Sequence, residues 1–260
     1  MRPGLLALPG GLARIALLAA ALGLTAPALA QEQSRPDVLS PDEVSAIEGV
    51  VRDYLLANPE VLVDALKVYQ ERQRLAEQQR RDQALVAHRN ALREDPDSPV
   101  LGNPDGDVVI VEFFDYRCPY CRRVADNIRT AVEEDGNIRL VMKEFPILGP
   151  QSQRAARAAL ATVNQDKYLE FHFALMNNPG DMSDQHIWNV AEEVGVDVDQ
   201  LKEDMQAREI NRMLRRNFEL AETLDINGTP AFVIGDTLVP GVIDLNRIRE
   251  LVAQARAKSS

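Results

Sequence analysis

Hydrophobic and polar residues alternate with a helical period near the start of the chain, between residues 40 and 69. Ser40-Pro41-Asp42-Glu43 has a capping serine, a proline at the first helical position and a glutamate that completes a capping box. The apolar residues that follow recur every three or four positions and form one helical face: Val44, Ile47, Val51, Tyr54 and Leu55. Asn58-Pro59 restarts the pattern, and a second stripe consists of Leu62, Ala65, Leu66 and Tyr69. The pattern predicts two short amphipathic helices or one bent helix.

The apolar stripe nearly disappears between Gln70 and Gln83, where charged residues surround only Leu75 and Ala76. A helix that is polar on every side is typical of a solvent-exposed connector. The stripe before it belongs either to a helical hairpin folded onto the main domain or to an oligomerisation module. We favour oligomerisation, because the stripe needs an apolar partner and the connector holds it away from the main domain. Residues 31–94 are therefore predicted to be an N-terminal helical oligomerisation segment and linker.

A run rich in proline, glycine and aspartate at residues 95–106 marks the domain boundary. The pattern beyond it predicts a strand at 108–114, a helix from Cys118 to about Glu134, a strand at 138–145 and a long helical region over about residues 150–224. A strand at 231–234, a short strand at 237–239 and a last helix at 244–257 follow. Strand-helix-strand followed by strand-strand-helix is the thioredoxin arrangement, so residues 95–260 are predicted to form an α/β thioredoxin fold with an inserted helical subdomain.

The N-terminus has the composition of a secretory signal. Arg2 and Arg14 precede an apolar stretch over residues 15–24, and Ala28-Leu29-Ala30 supplies small residues for cleavage before Gln31. The stretch has about ten residues, whereas a membrane-spanning helix needs roughly 20. We therefore expect residues 1–30 to be a signal peptide, cleaved near Ala30, that exports the protein to the periplasm.

The composition is that of a globular protein with one domain and an extension. The chain has 260 residues, of which 45% are hydrophobic, and can bury a substantial core without covalent crosslinks. Its formal net charge is −11, and the predicted signal contributes two arginines and no acid. This charge favours solubility and argues against binding to nucleic acid.

The chain has two cysteines, Cys118 and Cys121, in the sequence Cys118-Pro119-Tyr120-Cys121 directly after the first predicted strand. Such a pair indicates a thiol-disulfide active site, a zinc half-site or a structural disulfide. A disulfide this short closes almost no loop, so it adds little stability. Structural zinc needs four ligands, and His88, His172 and His186 lack zinc-like spacing. We predict no metal or cofactor, although transient capture of copper or zinc by the dithiol stays open.

A reactive cysteine needs a lowered thiol pKa and an accessible sulfur. If Cys118 begins the helix, the free amides and the helix dipole stabilise its thiolate, and Pro119 suits the first helical position because it lacks an amide. Cys121 lies on the same helix face about one turn further on, where it can close a disulfide. Cys118 is therefore the predicted attacking residue and Cys121 the resolving residue. Tyr120 has no group that titrates near neutral pH, and we expect it to pack beside the disulfide.

Two acids near the cysteines are candidates for supporting roles. Glu112, within the apolar strand, either lies below Cys121 and relays its proton or faces solvent on an edge strand. Asp115 is expected to cap the active-site turn.

Three segments taken in order resemble the DsbA family of exported thiol-disulfide oxidoreductases: residues 113–121, Lys143-Glu144-Phe145-Pro146, and Gly228-Thr229-Pro230-Ala231-Phe232. The resemblance covers about residues 98–258 and implies a cis Thr229-Pro230 bond that faces the dithiol. The residue before this proline is usually valine in DsbA-type oxidases and threonine in the isomerases DsbC and DsbG. Thr229 therefore implies a protein disulfide isomerase, and a dithiol oxidase that donates disulfides is the alternative.

Residues 44–93 resemble the leading domain of trimeric ScsC proteins, the suppressor of copper sensitivity family, in their pattern more than in signature residues. This resemblance implies a homo-oligomer, with a trimer expected, that acts on unfolded or wrongly disulfide-bonded exported proteins. It also implies a membrane thiol reductase of the DsbD or ScsB type as redox partner, or DsbB if the protein is an oxidase. A third possibility is a copper-binding thiol protein that acts in copper tolerance.

Overall fold

A computed structural model describes residues 39–178 and 180–259 of the chain. The predicted signal peptide, with its cleavage near Ala30, lies outside the described residues. The strands are β1 (Val100–Gly102), β2 (Val108–Phe114), β3 (Ile138–Glu144), β4 (Ala231–Ile234) and β5 (Thr237–Pro240). The helices are α1 (Pro41–Ala57), α2 (Glu60–Ala87), α3 (Arg89–Arg93), α4 (Pro119–Asp135), α5 (Pro150–Ala161), α6 (Tyr168–Asn177), α7 (Asp184–Glu193), α8 (Val198–Asp204), α9 (Arg208–Thr223) and α10 (Leu245–Ser259).

The strands form a mixed sheet in the order β1-β3-β2-β4-β5. Strand β2 runs parallel to β3 and antiparallel to β4, so it lies at the centre of the sheet. Glu112 pairs in register with Met142 on one side and with Phe232 on the other. The alternative in which Glu112 faces solvent on an edge strand is therefore wrong.

The connections agree with the predicted α/β fold. Helix α4 links the parallel strands β2 and β3, and β4, β5 and α10 follow one another at the end of the chain. Helices α5 to α9 occupy Pro150–Thr223, where the sequence predicts a helical insertion. The structure adds β1, which pairs antiparallel with β3 inside the run taken from sequence as a boundary.

Side chains of β2 alternate between two apolar clusters on opposite faces of the sheet. Ile110 and Phe114 belong to the larger cluster, which contains both cysteines and the buried face of α4. Val111 and Phe113 belong to a second cluster on the other face. Glu112 shares its face with Ile110 and Phe114, so the strand periodicity directs its carboxyl toward the side of the dithiol.

The end of the predicted linker is part of the core. Leu85 and Leu92 are only 4% and 1% exposed and pack in the second cluster. The Arg93 guanidinium donates to the Gly235 carbonyl oxygen at 2.6 Å, and Lys143 Nζ donates to Asp95 Oδ2 at 2.7 Å. The boundary predicted at residue 95 is therefore too late, because two leucines seven positions apart dock the end of the linker, beyond its polar part at residues 70–83.

Helix α1 begins as its sequence predicts. Ser40 Oγ accepts a hydrogen bond from the Glu43 amide at 3.4 Å, and Glu43 Oε2 accepts from the Ser40 amide at 2.8 Å. The helix contains no buried residue. The described chain divides into two units, one ending at Val63 and the other beginning at Asp64.

Both units expose apolar side chains at the predicted stripe positions. Val51 and Tyr54 on α1 are exposed, as are Leu62 and Leu66 on α2. Among the described residues, no helix is long and apolar enough to cross a membrane.

Candidate active site

Cys118 is the capping residue of α4, and Pro119 occupies the first turn. The turn before the helix is held by Asp115, whose carbonyl oxygen accepts from the Cys118 amide at 3.0 Å. Its carboxylate accepts from the Arg117 amide at 2.8 Å and from the Leu148 amide at 2.9 Å. Asp115 therefore caps the active-site turn, as expected, and also ties it to the segment that follows β3.

The environment of Cys118 favours its thiolate. A hydrogen bond from the Cys121 thiol lowers the pKa of Cys118 most, and the Thr229 side chain and the amides of Cys121 and Tyr120 add to it. Burial acts in the opposite direction, yet the pKa falls from 9.0 to about 5. Cys118 is consequently almost fully ionised at pH 7.

Cys121 is held as a thiol. It is fully buried, and desolvation raises its pKa strongly, helped by the hydrogen bond to Cys118 and by the charge of Glu112. Both cysteines are free thiols in the structure. One helical turn therefore contains two sulfurs with opposite preferences, one for the anion and one for the proton.

Glu112 lies beneath this pair as a neutral acid. The carboxyl is buried, and desolvation raises its pKa from 4.5 to about 8. A carboxyl with a pKa near neutrality can accept a proton and release it again. Glu112 is near enough to Cys121 for its ionised form to raise the pKa of that thiol.

The peptide bond that joins Thr229 to Pro230 is cis, as the resemblance implies, and Thr229 contacts the dithiol. When protonated, the Cys118 thiol donates to the Thr229 carbonyl oxygen at 3.2 Å. The structure thus brings together Cys118, Cys121 and Thr229, although about 110 residues separate the two segments. Backbone groups next to this proline lie beside the reactive sulfur and can pair with an extended substrate.

Tyr120 is largely exposed next to the reactive cysteine. Its side chain is 52% exposed, and the Arg123 guanidinium lies 5.5 Å from the centroid of its ring. The capping position of Cys118 directs Tyr120 outward, because residues two positions apart do not share a helix face. Tyr120 and the exposed Pro119 therefore form surface around the reactive cysteine.

A buried polar cluster behind the active-site turn escapes sequence reasoning. Tyr116 and Tyr168 each donate a hydroxyl hydrogen bond to Glu144 Oε1 at 2.9 Å. The Tyr116 hydroxyl also lies 3.0 Å from His172 Nδ1. Burial raises the pKa of Glu144 and lowers that of His172 to about 3, and in both cases it favours the neutral form.

This cluster supports the turn because Tyr116 lies two residues before Cys118 and accepts from Arg122 through its carbonyl oxygen at 3.0 Å. The sequence gives little indication of this buried cluster. Glu144 belongs to one of the segments that carry the resemblance, but nothing indicates that residues 116, 144, 168 and 172 meet.

The histidines take ordinary roles. His172 is in the buried cluster, and His186 Nε2 lies 3.1 Å from the Asn178 carbonyl oxygen. Within residues 39–178 and 180–259, no group of three or more His, Cys, Asp or Glu side chains is placed to hold a metal ion.

Two family matches follow the division of the chain. Residues 109–253 match the DSBA-like thioredoxin domain, and residues 43–76 match the copper resistance protein ScsC N-terminal domain. Both matches confirm the resemblances predicted from the sequence.

Solved structures agree with these matches. A thioredoxin-like oxidoreductase from Silicibacter pomeroyi is 48% identical with a TM-score of 0.64, covering 65% of this chain and 98% of that one. ScsC from Proteus mirabilis in a transitional conformation is 31% identical with a TM-score of 0.63, and the match covers 85% of this chain and 100% of the ScsC chain.

Curated relatives include much longer proteins. Na(+)/H(+) antiporter NhaA 1 of Mycobacterium sp. (strain KMS) is 31% identical over 142 residues, which are 52% of this chain and 23% of the antiporter. The chain spans about a quarter of the length of such relatives.

Proposed function

This chain belongs to the DsbA-like thioredoxin family of thiol-disulfide oxidoreductases, and we propose that it acts as an exported protein disulfide isomerase. The observation that carries the proposal is the opposite ionisation of the two sulfurs. The pKa of Cys118 falls to about 5, whereas the pKa of Cys121 is raised. Disulfide reshuffling requires a nucleophilic thiolate at neutral pH and a second cysteine that stays protonated until it resolves the mixed disulfide.

In the first step, the Cys118 thiolate attacks one sulfur of a non-native disulfide. The substrate S–S bond breaks, a mixed disulfide with Cys118 forms, and the other substrate sulfur leaves as a thiolate. A different substrate thiolate then attacks the mixed disulfide, forms a new substrate disulfide and restores the Cys118 thiolate. No electrons are gained or lost overall, so one reduced enzyme molecule can act repeatedly.

Cys121 resolves complexes that fail to rearrange. Its thiol passes a proton to Glu112 when that carboxyl is ionised, attacks Cys118 Sγ and releases the substrate as a thiol, leaving a Cys118-Cys121 disulfide. Glu112 suits this role because it is buried on the same face of the sheet and its pKa lies near 8. The product must then be reduced by a partner, for which we propose a membrane thiol reductase of the DsbD or ScsB type.

Two features favour isomerase over the alternative of a DsbB-dependent oxidase. Thr229 is the residue type that the isomerases DsbC and DsbG carry at this position. The lowered pKa of Cys118 stabilises the reduced form but is shared by dithiol oxidases, so the preference rests on the residue type. The apolar stripes on α1 and on the start of α2 are exposed and supply a surface for self-association. We propose a trimer in the periplasm, whose several active sites surround one wrongly bonded exported protein.

The direct test incubates the chain from Gln31 onward with scrambled ribonuclease and, separately, with fully reduced ribonuclease. An isomerase restores activity to the scrambled substrate when supplied with a reduced thiol pool. Recovery of the reduced substrate alone would replace the proposal with an oxidase.

Oligomerisation is tested by charged substitutions in the stripe. Val51→Lys and Leu62→Lys place a charge on apolar surface that we expect to be buried between copies, so light scattering should report monomers. Arg52→Glu changes a neighbouring exposed charge and serves as the matched control. If Val51→Lys leaves both the oligomer mass and the recovery of scrambled ribonuclease unchanged, this stripe is not the interface.

Copper binding is a second candidate, because the N-terminal segment matches a family described by copper resistance. The two thiols would supply soft ligands for Cu(I). Titration of the reduced protein with Cu(I), compared with Cys118→Ala in both assays, separates the two functions. Ribonuclease recovery that survives Cys118→Ala would exclude dithiol catalysis.

A further inference from the structure

Three arginines lie next to the reactive cysteine in sequence and in space. Arg117 directly precedes Cys118, and Arg122 and Arg123 follow it in the first turns of α4. Arg117 and Arg123 are exposed, whereas Arg122 is half-buried. The surface beside the nucleophile therefore carries positive side chains, although the chain as a whole has a net charge of −11.

Arg117 reaches from the active-site turn to the segment that follows β3. Its Nη1 donates to the Leu148 carbonyl oxygen at 2.5 Å and lies 3.5 Å from Gln151 Oε1. The Leu148 amide in turn donates to the Asp115 carboxylate, so this segment lies directly beside the turn. Both partners of the Arg117 side chain are neutral, and no described residue accepts a hydrogen bond from its Nε or Nη2. These N–H groups can bind an acceptor that a substrate brings.

Arg122 and Arg123 add two cations at the start of α4. Arg122 follows Cys118 by four residues, so both lie on the same helix face, and its Nη1 donates to the Tyr116 carbonyl oxygen at 3.0 Å. The Arg123 guanidinium lies 5.5 Å from the centroid of the Tyr120 ring. Within the part of the chain that the structure describes, neither arginine forms an ion pair with a carboxylate.

The other segments at the active site carry no charge. Residues 145–151 lie beside the turn, and residues 226–234 contain the cis proline. Residues 237–243 are joined to that proline, because the Gly241 amide donates to the Pro230 carbonyl oxygen at 2.8 Å. None of the three segments contains Asp, Glu, Lys, Arg or His. The charge presented around the nucleophile is therefore set by the turn and by α4.

The acids of the turn do not cancel the arginines. Glu112 is neutral at pH 7, because desolvation raises its pKa to about 8. The Cys118 thiolate and the Asp115 carboxylate supply two negative charges against the three positive charges of the arginines, which leaves one positive charge in excess. Asp115 is also buried, so an approaching substrate meets the exposed guanidiniums of Arg117 and Arg123 first.

We propose that Arg117 and Arg123 select substrate disulfides that are flanked by aspartate or glutamate side chains. The proposal rests on the function proposed above, because it assigns a substrate class to the same dithiol. A carboxylate accepts two parallel hydrogen bonds from a guanidinium, and attraction to the two arginines raises the rate of encounter. The excess of acids elsewhere repels such segments, so they are directed to this turn.

The test uses synthetic peptides with one cysteine, carried as a mixed disulfide with 2-thiopyridine, an uncharged leaving group. The Cys118 thiolate of the reduced protein attacks the peptide sulfur, and a new S–S bond forms. The bond to thiopyridine breaks, and thiopyridine leaves with the electron pair, takes up a proton and absorbs in the near ultraviolet. Cys121 then attacks Cys118 Sγ and releases the peptide as a thiol, so the protein is oxidised and the probe is reduced.

The peptides carry Glu, Gln or Lys on both sides of the cysteine, and second-order rate constants are measured at pH 7 with the chain from Gln31 onward. In the wild-type chain, the Glu peptide should react about 5–20 times faster than the Gln peptide at low salt, since each exposed arginine contributes a factor of about 2–5. In 1 M salt the two rates should become nearly equal, because the Debye length is then about 3 Å.

Arg117→Gln and Arg123→Gln should each lower the ratio of the Glu rate to the Gln rate by about 2–5-fold. The double variant Arg117→Glu/Arg123→Glu should make the Lys peptide the fastest. Arg129→Gln removes one charge farther along α4, where Arg129 pairs with Asp126 at 2.9 Å, and should keep the wild-type ratio. Arg117→Lys, which keeps the charge, should retain most of the preference.

A purely structural role for Arg117 would slow all peptides alike and leave the ratio unchanged. Alkylation of Cys118 by uncharged iodoacetamide at the wild-type rate shows that the active site of each variant has folded. Equal rates for the Glu and Gln peptides in the wild-type chain at low salt would overturn the proposal, as would a wild-type ratio that persists in the double variant.

Failure of the proposed function has a different signature. If the dithiol does not exchange, no peptide releases thiopyridine, which would overturn the proposed function and the charge selection together. If the protein is an oxidase, scrambled ribonuclease is not restored, yet the Glu peptide still reacts faster than the Gln peptide. Selection of acidic segments would then be upheld for an oxidase.

Discussion

Glu112→Gln is expected to stabilise the protein against unfolding and to slow the attack of Cys121 on the mixed disulfide. The buried carboxyl has its pKa raised from 4.5 to about 8 by desolvation. Between these values the unfolded chain releases the proton of Glu112 and the folded chain retains it. Ionisation therefore stabilises the unfolded state, and the penalty grows as the pH rises.

The magnitude follows from the pH interval. Each pH unit above the ordinary pKa contributes about 1.4 kcal/mol, so the penalty reaches about 3 kcal/mol at pH 7. It is absent below pH 4.5 and constant above about pH 8, because there the two states carry the same charge. The glutamine side chain of the variant cannot ionise, so Glu112→Gln should gain nothing at pH 4 and up to about 3 kcal/mol at pH 7.

Urea unfolding of the reduced protein at pH 4, 5.5, 7 and 8, followed by the fluorescence of Trp188, measures this gain. Glu133→Gln, an exposed acid on α4, is the matched control and should show no dependence of this kind. A gain that does not vary with pH, or a loss of stability at pH 7, would refute the burial argument. The same variant should prolong the mixed disulfide, because glutamine cannot accept the proton of Cys121.

Three further outcomes follow from the site and the core. The rate of Cys118 alkylation by iodoacetamide should rise with a midpoint near pH 5. Cys121→Ala should move this midpoint upward, because it removes the hydrogen bond that lowers the pKa of Cys118 most. A wild-type midpoint near pH 9 would contradict the assignment. Leu92→Ala should lower the free energy of unfolding, measured in urea, by about 2–5 kcal/mol, whereas Val86→Ala at an exposed position should change it little. Equal losses of stability in the two variants would disprove core docking of the linker. Glu144→Leu leaves two tyrosine hydroxyls without their acceptor and should cost about 2–4 kcal/mol, whereas Glu144→Gln keeps an acceptor and should cost much less by the same measurement.

Much of the active site is predictable because its signals are local. The apolar strand, the capping position and the spacing of Cys118 and Cys121 lie within fourteen residues. The side taken by Glu112 stays open in the sequence, and the central place of β2 in the sheet decides it. The approach of Thr229 to the sulfur is different. It depends on a segment about 110 residues away, and only the family resemblance anticipates it.

Other features depend on tertiary packing that no local pattern contains. The cluster of Tyr116 and Glu144 joins a turn, a strand end and a helix of the insertion, and each residue looks ordinary in its own segment. The docking of α2 and α3 depends on Leu85 and Leu92, whose spacing is too sparse to define an apolar stripe.

The central claim is that Cys118 attacks and Cys121 resolves. It is tested most directly by mixing scrambled ribonuclease with Cys121→Ala and with Cys118→Ala, quenching with acid, and measuring intact masses. A covalent enzyme-substrate disulfide should accumulate with Cys121→Ala and be absent with Cys118→Ala. Accumulation of the adduct on Cys121 in the Cys118→Ala chain, or no adduct with either variant, would contradict the claim.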